Sequence, residues 1–411
     1  MVARHTRRLQ PGQRRRTTEP KMTGHVPGER RFVWVLGAGF SASLGGPMLP
    51  NLLSRRLERD IAMRYPSANI ESKFAPLHSG VANEVRIIYE LGLSNASLLS
   101  PVSRRPAEHI WSNAEEFIDY VDTAAADVDS PHARRLIALA EKKGPSTDAW
   151  IEDLRAATRR IIAAECSAFL EGVDINREQW RPFRRWAARF GETDTVISFN
   201  YDRIIEMLRD DQNKKAVNGE TRPSALKVVL PAQIIDRGDL LGCCPVLKLH
   251  GSVDWRRVTR SDSAEAVELA GPTFALTAPS DELLVATPGP SKLNESVFAL
   301  GSLWELACEA LKAADVIVFV GFRFPETDAY AREQLLTAIG ENNAGMVPHR
   351  LSLGVVLGHP GKDTVRLEAL LRHVCLRTRH EETSPLGRAF GVTVHPLFAQ
   401  DFFSVVTRAD L

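Results

Sequence analysis

No run of hydrophobic residues in the 411-residue chain approaches the length needed to cross a bilayer. No basic, apolar, small-residue signal opens it. Both absences lead to the expectation of a cytoplasmic protein rather than an integral membrane or exported one. Cysteine is scarce and badly spaced for metal: Cys166, Cys243, Cys244, Cys308 and Cys375 are an odd count with no CxxC pair. A structural zinc ribbon needs four spaced ligands, usually from two close pairs, so the reading is of reduced, mostly buried thiols and no metal. Internal repeats are absent. Net charge is nearly so, at +1, with 44% hydrophobic and 25% charged residues, the balance of a soluble globular chain.

That small net charge hides one basic segment. Residues 1–31 hold eight arginines and one lysine against two glutamates, broken by Pro11, Gly12, Pro20, Pro27 and Gly28. Such a segment cannot build a core, and residues 1–30 are expected to be a disordered basic tail, a solvated extension or a contact for nucleic acid.

The most informative stretch is RFVWVLGAGFSASLGGPMLP, Arg31 to Pro50. An apolar strand, Phe32 to Leu36, runs into Gly37-Ala38-Gly39-Phe40-Ser41 and a helix start. In a strand, glycine turn and helix of this kind, glycines let backbone N–H groups approach a nucleotide pyrophosphate. The third glycine of the dinucleotide fingerprint is missing, with Ala42 in its place.

Residues 51–64 have amphipathic helical spacing, and residues 80–190 are mainly helical in pattern, so about 55–190 reads as a helical module inserted between the first and second strands of a sheet. From Thr195 the pattern changes to short apolar runs at 195–199, 226–230, 245–249, 315–320 and 350–357, with a helix at 296–314. Continuous rather than alternating hydrophobicity suits a parallel sheet covered on both faces. The implied fold is α/β, a Rossmann-like doubly wound parallel sheet, closed by an edge strand and a helix within residues 392–406.

Ligands in such sheets bind beyond the strand C-termini, which singles out the polar residues placed there. Asn200-Tyr201-Asp202 follows one strand and either caps the helix near Arg203 or aims an amide and a carboxylate into the crevice. His250-Gly251 follows another, as a ligand contact or acid/base group. Asp254-Trp255 reads as fixing a turn. Gly321-Phe322-Arg323 offers a further phosphate or ribose edge, with Glu326 and Asp328 for hydroxyls or for capping the next helix.

In order and context these segments resemble the sirtuin superfamily. GAGFS followed by Gly46-Pro47 is similar to its cofactor loop, FNYD at 199–202 to its Asn-x-Asp motif, LHG at 249–251 to its His-Gly, and GFRF at 321–324 to its later nucleotide loop. LHGSVDW, ProSerLys-Leu at 290–293, Trp304, GFRFPETD and Asn113-Ala114-Glu115-Glu116-Phe117 are similar to the sirtuin-like proteins of prokaryotic antiviral defence. The zinc ribbon of the deacylases is missing.

The resemblance implies a sirtuin-like, DHS-type fold over residues 31–411 and an NAD+ glycohydrolase that depletes NAD+ in an infected cell, with NAD+ as substrate. Asn200 would position water and ribose, and His250 would contact ribose hydroxyls and act as base. Gly37, Ala38, Gly39 and Ser41 would line the pyrophosphate, and Asp202 would hold the carboxamide or nicotinamide ribose. Phe40, Pro47, Tyr201, Gly251, Gly321, Arg323 and Asp328 complete the implied binding set. Arg323 replaces a usual serine and would pair with a phosphate or fill the pocket. Implied partners are a second copy of the chain and a hexameric HerA-type ATPase or other sensor. A non-catalytic NAD or ADP-ribose sensor, a deacylase and a DNA-acting subunit are the alternatives.

Overall fold

The protein is described here by a computed structural model covering residues 30–48, 52–53, 80–93, 110–140, 147–232, 235–259, 265–286, 300–325, 328–342, 351–380 and 391–411. The basic tail before residue 30, most of the 51–64 helix, residues 290–293 and Glu326 lie outside the described residues.

Alternation within single strands builds a two-faced sheet. In β1 (Phe32–Leu36), Phe32, Trp34 and Leu36 enter one core while Val33 and Val35 enter another, the period-2 geometry of a strand buried on both sides. The same division runs along β8 (Val316–Val320). With β2 (Thr195–Ser198), β3 (Leu226–Val228), β4 (Cys244–Lys248), β9 (Ser352–Val356) and β10 (Gly391–His395) they make a seven-stranded sheet, order β10-β9-β8-β1-β2-β4-β3. Every pairing in it is parallel.

Helices cover both faces, as parallel strands require. After the short α1 (Ala38–Ala42), the chain forms α2 (Gly80–Gly92), α3 (Ala114–Ala126), α4 (Pro131–Leu139), α5 (Thr147–Ala168) and α6 (Arg181–Ala187) before β2, so the described residues of the inserted stretch are mainly helical, with one isolated bridge between Leu93 and Trp111. They are followed by α7 (Ile204–Val217), α8 (Phe274–Thr277), α9 (Gly301–Ala313), α10 (Ala329–Asn342), α11 (Lys362–His380) and α12 (Ala399–Val405). Buried residues of α9, α10 and α11 share the core with Val33 and Val35; those of α6, α7 and α12 share the other with Trp34. Asn113 Oδ1 caps α3 by accepting from the N–H groups of Glu115 and Glu116 at 2.9 and 3.1 Å, and Pro131 opens α4 behind the Ser130 cap.

The architecture is therefore α/β with a Rossmann-like parallel sheet. A second sheet was not expected: β5 (Gly251–Thr259), β6 (Glu265–Leu269) and β7 (Leu283–Val285) pair antiparallel in the order β6-β5-β7. Asp254 and Trp255, expected at a turn, lie inside β5. The segment reads poorly as a strand because polar Ser252 and Asp254 are buried as fully as Val253 and Trp255, the last two packing one against the helical module and the other against the main-sheet core. No described helix is long and apolar enough to cross a membrane.

Candidate functional site

Strand order reverses between β1 and β8: the chain builds β2, β4 and β3 on one side and β9 and β10 on the other. The crevice at such a switch point is the ligand position of open parallel sheets. Here it is a cleft of about 550 Å³, within the roughly 300–1,000 Å³ of small-molecule sites.

The turns after β1 and β8 cross at its floor. Gly37 N–H donates to Val320 O at 3.0 Å, Gly39 N–H to Gly321 O at 3.2 Å, and Phe40 N–H back to Gly37 O at 2.9 Å. A Cβ on Gly37 would lie 2.5 Å from Gly321 O, and one on Gly39 2.7 Å from Gly321 Cα. Gly321 itself has φ +67°, in the region open mainly to glycine. The glycines thus permit the two turns to touch each other, and those three N–H groups are already used. The next residue but two, Phe324, is non-glycine at φ +52°, fully buried, and the carbonyls of Arg323 and Phe324 accept from Arg366 on α11 at 2.6 and 2.8 Å.

Over this floor stands a polar relay. Asn200 Nδ2 donates to Gly37 O and to Ser41 Oγ, both at 2.9 Å, and Ser41 Oγ donates to Asp202 Oδ2 at 2.5 Å. Both amide hydrogens are used, so Asn200 meets the cleft with its oxygen, an acceptor. Asp202 Oδ1 accepts from Ile204 N–H at 3.1 Å, so the same carboxylate supports the start of α7 and the relay. Burial pushes the Asp202 carboxyl above its ordinary range, against the opposing pull of Lys248 and Ser41.

Lys248 is the cation beneath this turn. It is completely buried and donates to Asp202 O at 2.6 Å, Ser252 Oγ at 2.6 Å and Glu206 Oε1 at 3.0 Å. Ser252 Oγ donates to Asp254 Oδ1 at 2.7 Å, and Asp254 pairs with Arg203 at 2.8 Å. Burial raises the Glu206 carboxyl, with Lys248 opposing.

His250, at the end of β4, lines the cleft with its ring edge-on to Phe199 at 4.8 Å. Its Nε2 lies 3.0 Å from Asp328 Oδ2, while Asp328 Oδ1 accepts from Ala331 N–H at 3.2 Å at the start of α10. Tyr201 Oη donates to Ala286 O at 2.9 Å beside them.

Of the residues singled out in the sequence, Gly37, Ala38, Gly39, Ser41, Pro47, Asn200, Tyr201, Asp202, His250, Gly321 and Arg323 border this one cleft. Phe40, Gly251 and Asp328 do not. The Phe40 ring is buried in the aromatic cluster of Phe183, Trp186 and Phe403. Gly251 packs on β7, where a Cβ would meet Leu284 O at 2.0 Å. Asp328 sits behind His250 and is 1% exposed. Arg323 is paired with Asp363 at 2.7 Å.

Sequence reasoning missed the wall that the helical module supplies, Glu115 and Ile118 from α3 with Ile162 and Cys166 from α5. Their helical periodicity shows a buried face but not what that face meets. Burial raises the Cys166 thiol well above its ordinary value, which keeps it protonated and unreactive. Among the described residues no group of three His, Cys, Asp or Glu side chains is placed to hold a metal ion. No protein-family model matches this chain, and no curated protein matches it in sequence.

Proposed function

We propose that the chain is a sirtuin-like NAD+ glycohydrolase that cleaves the bond between nicotinamide and ribose. The observation that carries the reading is the meeting, in one switch-point cleft, of an asparagine with both amide hydrogens committed and a histidine backed by a buried carboxylate. Asn200 and His250 come from two of the four motifs that resemble sirtuin segments, and Asp328 follows a third, GFRF, by four residues.

The nicotinamide nitrogen departs neutral from a cationic ring, taking the electron pair of the N-glycosidic bond. Leaving-group acid catalysis is therefore unnecessary, and the site's work is to stabilise oxocarbenium character at the ribose and deliver water. The oxygen of Asn200 accepts one hydrogen of that water and aligns its lone pair on the anomeric carbon. As the new C–O bond forms, the other proton passes to His250, whose ring Asp328 orients. Asp202 holds Ser41, Ser41 holds Asn200, and the geometry is set before the substrate arrives. Self-association, activation by a HerA-type ATPase, a cytoplasmic setting and a role in antiviral defence belong to this proposal through the resemblance alone.

The test is nicotinamide release from NAD+ by wild-type protein beside Asn200→Ala and His250→Ala. Release by wild type and its loss in both variants, each still folded by circular dichroism, is expected. Undiminished cleavage by Asn200→Ala would remove the assignment. Binding of NAD+ without turnover, at high protein concentration, would move the chain to the sensor reading.

A further inference from the structure

The end of the cleft away from His250 carries groups that the hydrolysis chemistry leaves unused. α11 starts there, at 19 residues a long helix, with Gly361 O accepting from Val365 N–H at 3.1 Å. The N–H groups of Lys362, Asp363 and Thr364 in its first turn have no intrahelical acceptor and bond no other described residue. Such a turn favours an anion. A second observation points the same way: Thr364, 5% exposed, lines the cleft, and no described residue bonds its hydroxyl. Lys362 stands on the same turn, also bordering the cleft.

Two neighbours sharpen the character of this end. The one carboxylate of the turn, Asp363, is neutralised by Arg323 at 2.7 Å, so it does not repel an anion as a bare charge would. Phe398, 51% exposed, stands edge-on to His359 at 5.2 Å on the cleft rim and offers an aromatic surface beside the charged turn. On the floor between the two ends, the N–H groups of Gly37, Gly39 and Phe40 are consumed within the fold, and of this turn only the Ala38 N–H bonds no described residue.

We propose that the first turn of α11, with Thr364 Oγ1 and Lys362, is the subsite for a phosphate of the bound nucleotide. The assignment rests on the reading of the cleft as a nucleotide site. Two phosphates share this chemistry: the pyrophosphate common to NAD+ and ADP-ribose, and the additional ribose phosphate of NADP+.

Titration calorimetry on the full chain separates them, with adenosine, ADP-ribose, NAD+, NADP+ and inorganic pyrophosphate as probes. The proteins are wild type, Thr364→Val, Thr364→Ser and Lys362→Ala. Loss of one charge-assisted contact should weaken ADP-ribose about tenfold or more in Thr364→Val and in Lys362→Ala. Thr364→Ser should retain affinity, and adenosine should bind all four proteins alike. A loss confined to NADP+ assigns the ribose phosphate; an equal loss for NAD+ and NADP+ assigns the pyrophosphate.

Unchanged affinity of every phosphate-bearing probe in both variants overturns the subsite while leaving the nucleotide reading intact. Failure of wild type to bind any nucleotide, with pyrophosphate binding that disappears in Lys362→Ala, keeps the subsite and removes the nucleotide reading. Wild type that binds neither nucleotide nor pyrophosphate overturns the subsite. Lys362 is exposed, so its variant keeps the test open if Thr364→Val fails to fold.

Discussion

Lys248 shows how much of a site can hang on a side chain that never meets the ligand. Its ammonium is buried with Glu206, Ser252 and two carbonyls of the Tyr201-Asp202 turn. Removing one member of a buried pair leaves the other charge uncompensated, at a cost of roughly 3–5 kcal/mol. Lys248→Met should lose about that much in urea denaturation, and adding Glu206→Gln should recover part of it; no recovery would mean the pair is not coupled. Ser41→Ala tests the relay above: with the Asn200 amide released from one of its two acceptors and Asp202 Oδ2 left without its donor, turnover should fall about tenfold and urea denaturation should show a loss of roughly 1–3 kcal/mol. Asn200, Asp202 and His250 were legible in the sequence because each is a polar residue directly after an apolar strand. Lys248 was not, since it reads as an interruption of PVLKL and its partner Glu206 is 42 residues away. Asp328 was visible as a polar residue but not as the partner of His250, a pairing made only by folding.

Between elements, the controlling contact is the crossing of the turns after β1 and β8. A Cβ at Gly321 would lie 2.3 Å from Phe40 N at φ +67°, so nothing larger fits without parting the turns. Gly321→Ala should destabilise the fold by at least the roughly 1–3 kcal/mol of a strained backbone residue and weaken nucleotide binding together with it. Binding that survives unchanged at a lowered melting temperature would separate the crossing from the site. At the sheet edge, burial lowers the ionisation of His395 on β10, whose ring stands 5.0 Å from Phe402. A histidine depressed in the folded state gives stability that is present above its ordinary value of 6.5 and lost as the pH falls through its folded value. Wild type should therefore lose stability below about pH 6.5 relative to His395→Phe; parallel pH profiles of the two would contradict this. The parallel strands were plain from apolar runs of five or so residues, and the inserted module and the helix before β8 from their helical spacing, whereas α11 was not singled out. The β5-β6-β7 sheet was not, because β5, the longest strand described, buries polar and apolar positions alike over its first five residues, and β7 has only three residues.

Across the whole molecule, three cores converge on one cleft. One lies within the helical module and reaches the small sheet through Val253, Leu283 and Val285; the other two lie on the faces of the main sheet. A ligand that touches walls built from all of them should stabilise the chain as a unit, by about 2.7 kcal/mol at a hundredfold excess over its Kd. Calorimetry should show a single melting transition shifted upward by ADP-ribose, and a shift confined to one of two separate transitions would show that the module melts independently. The alternation of strands and helices, and the inserted helical stretch, could be read from periodicity; that the insertion closes over the cleft could not, since periodicity does not say where a helix docks. The reversal of strand order has a mechanical consequence. The relay and His250 ride on one half of the main sheet, Thr364 and Lys362 on the other, and β1 and β8 form the seam between them. Any molecule long enough to touch both ends is a strut across that seam, joining the two half-sheets through contacts that neither half makes alone.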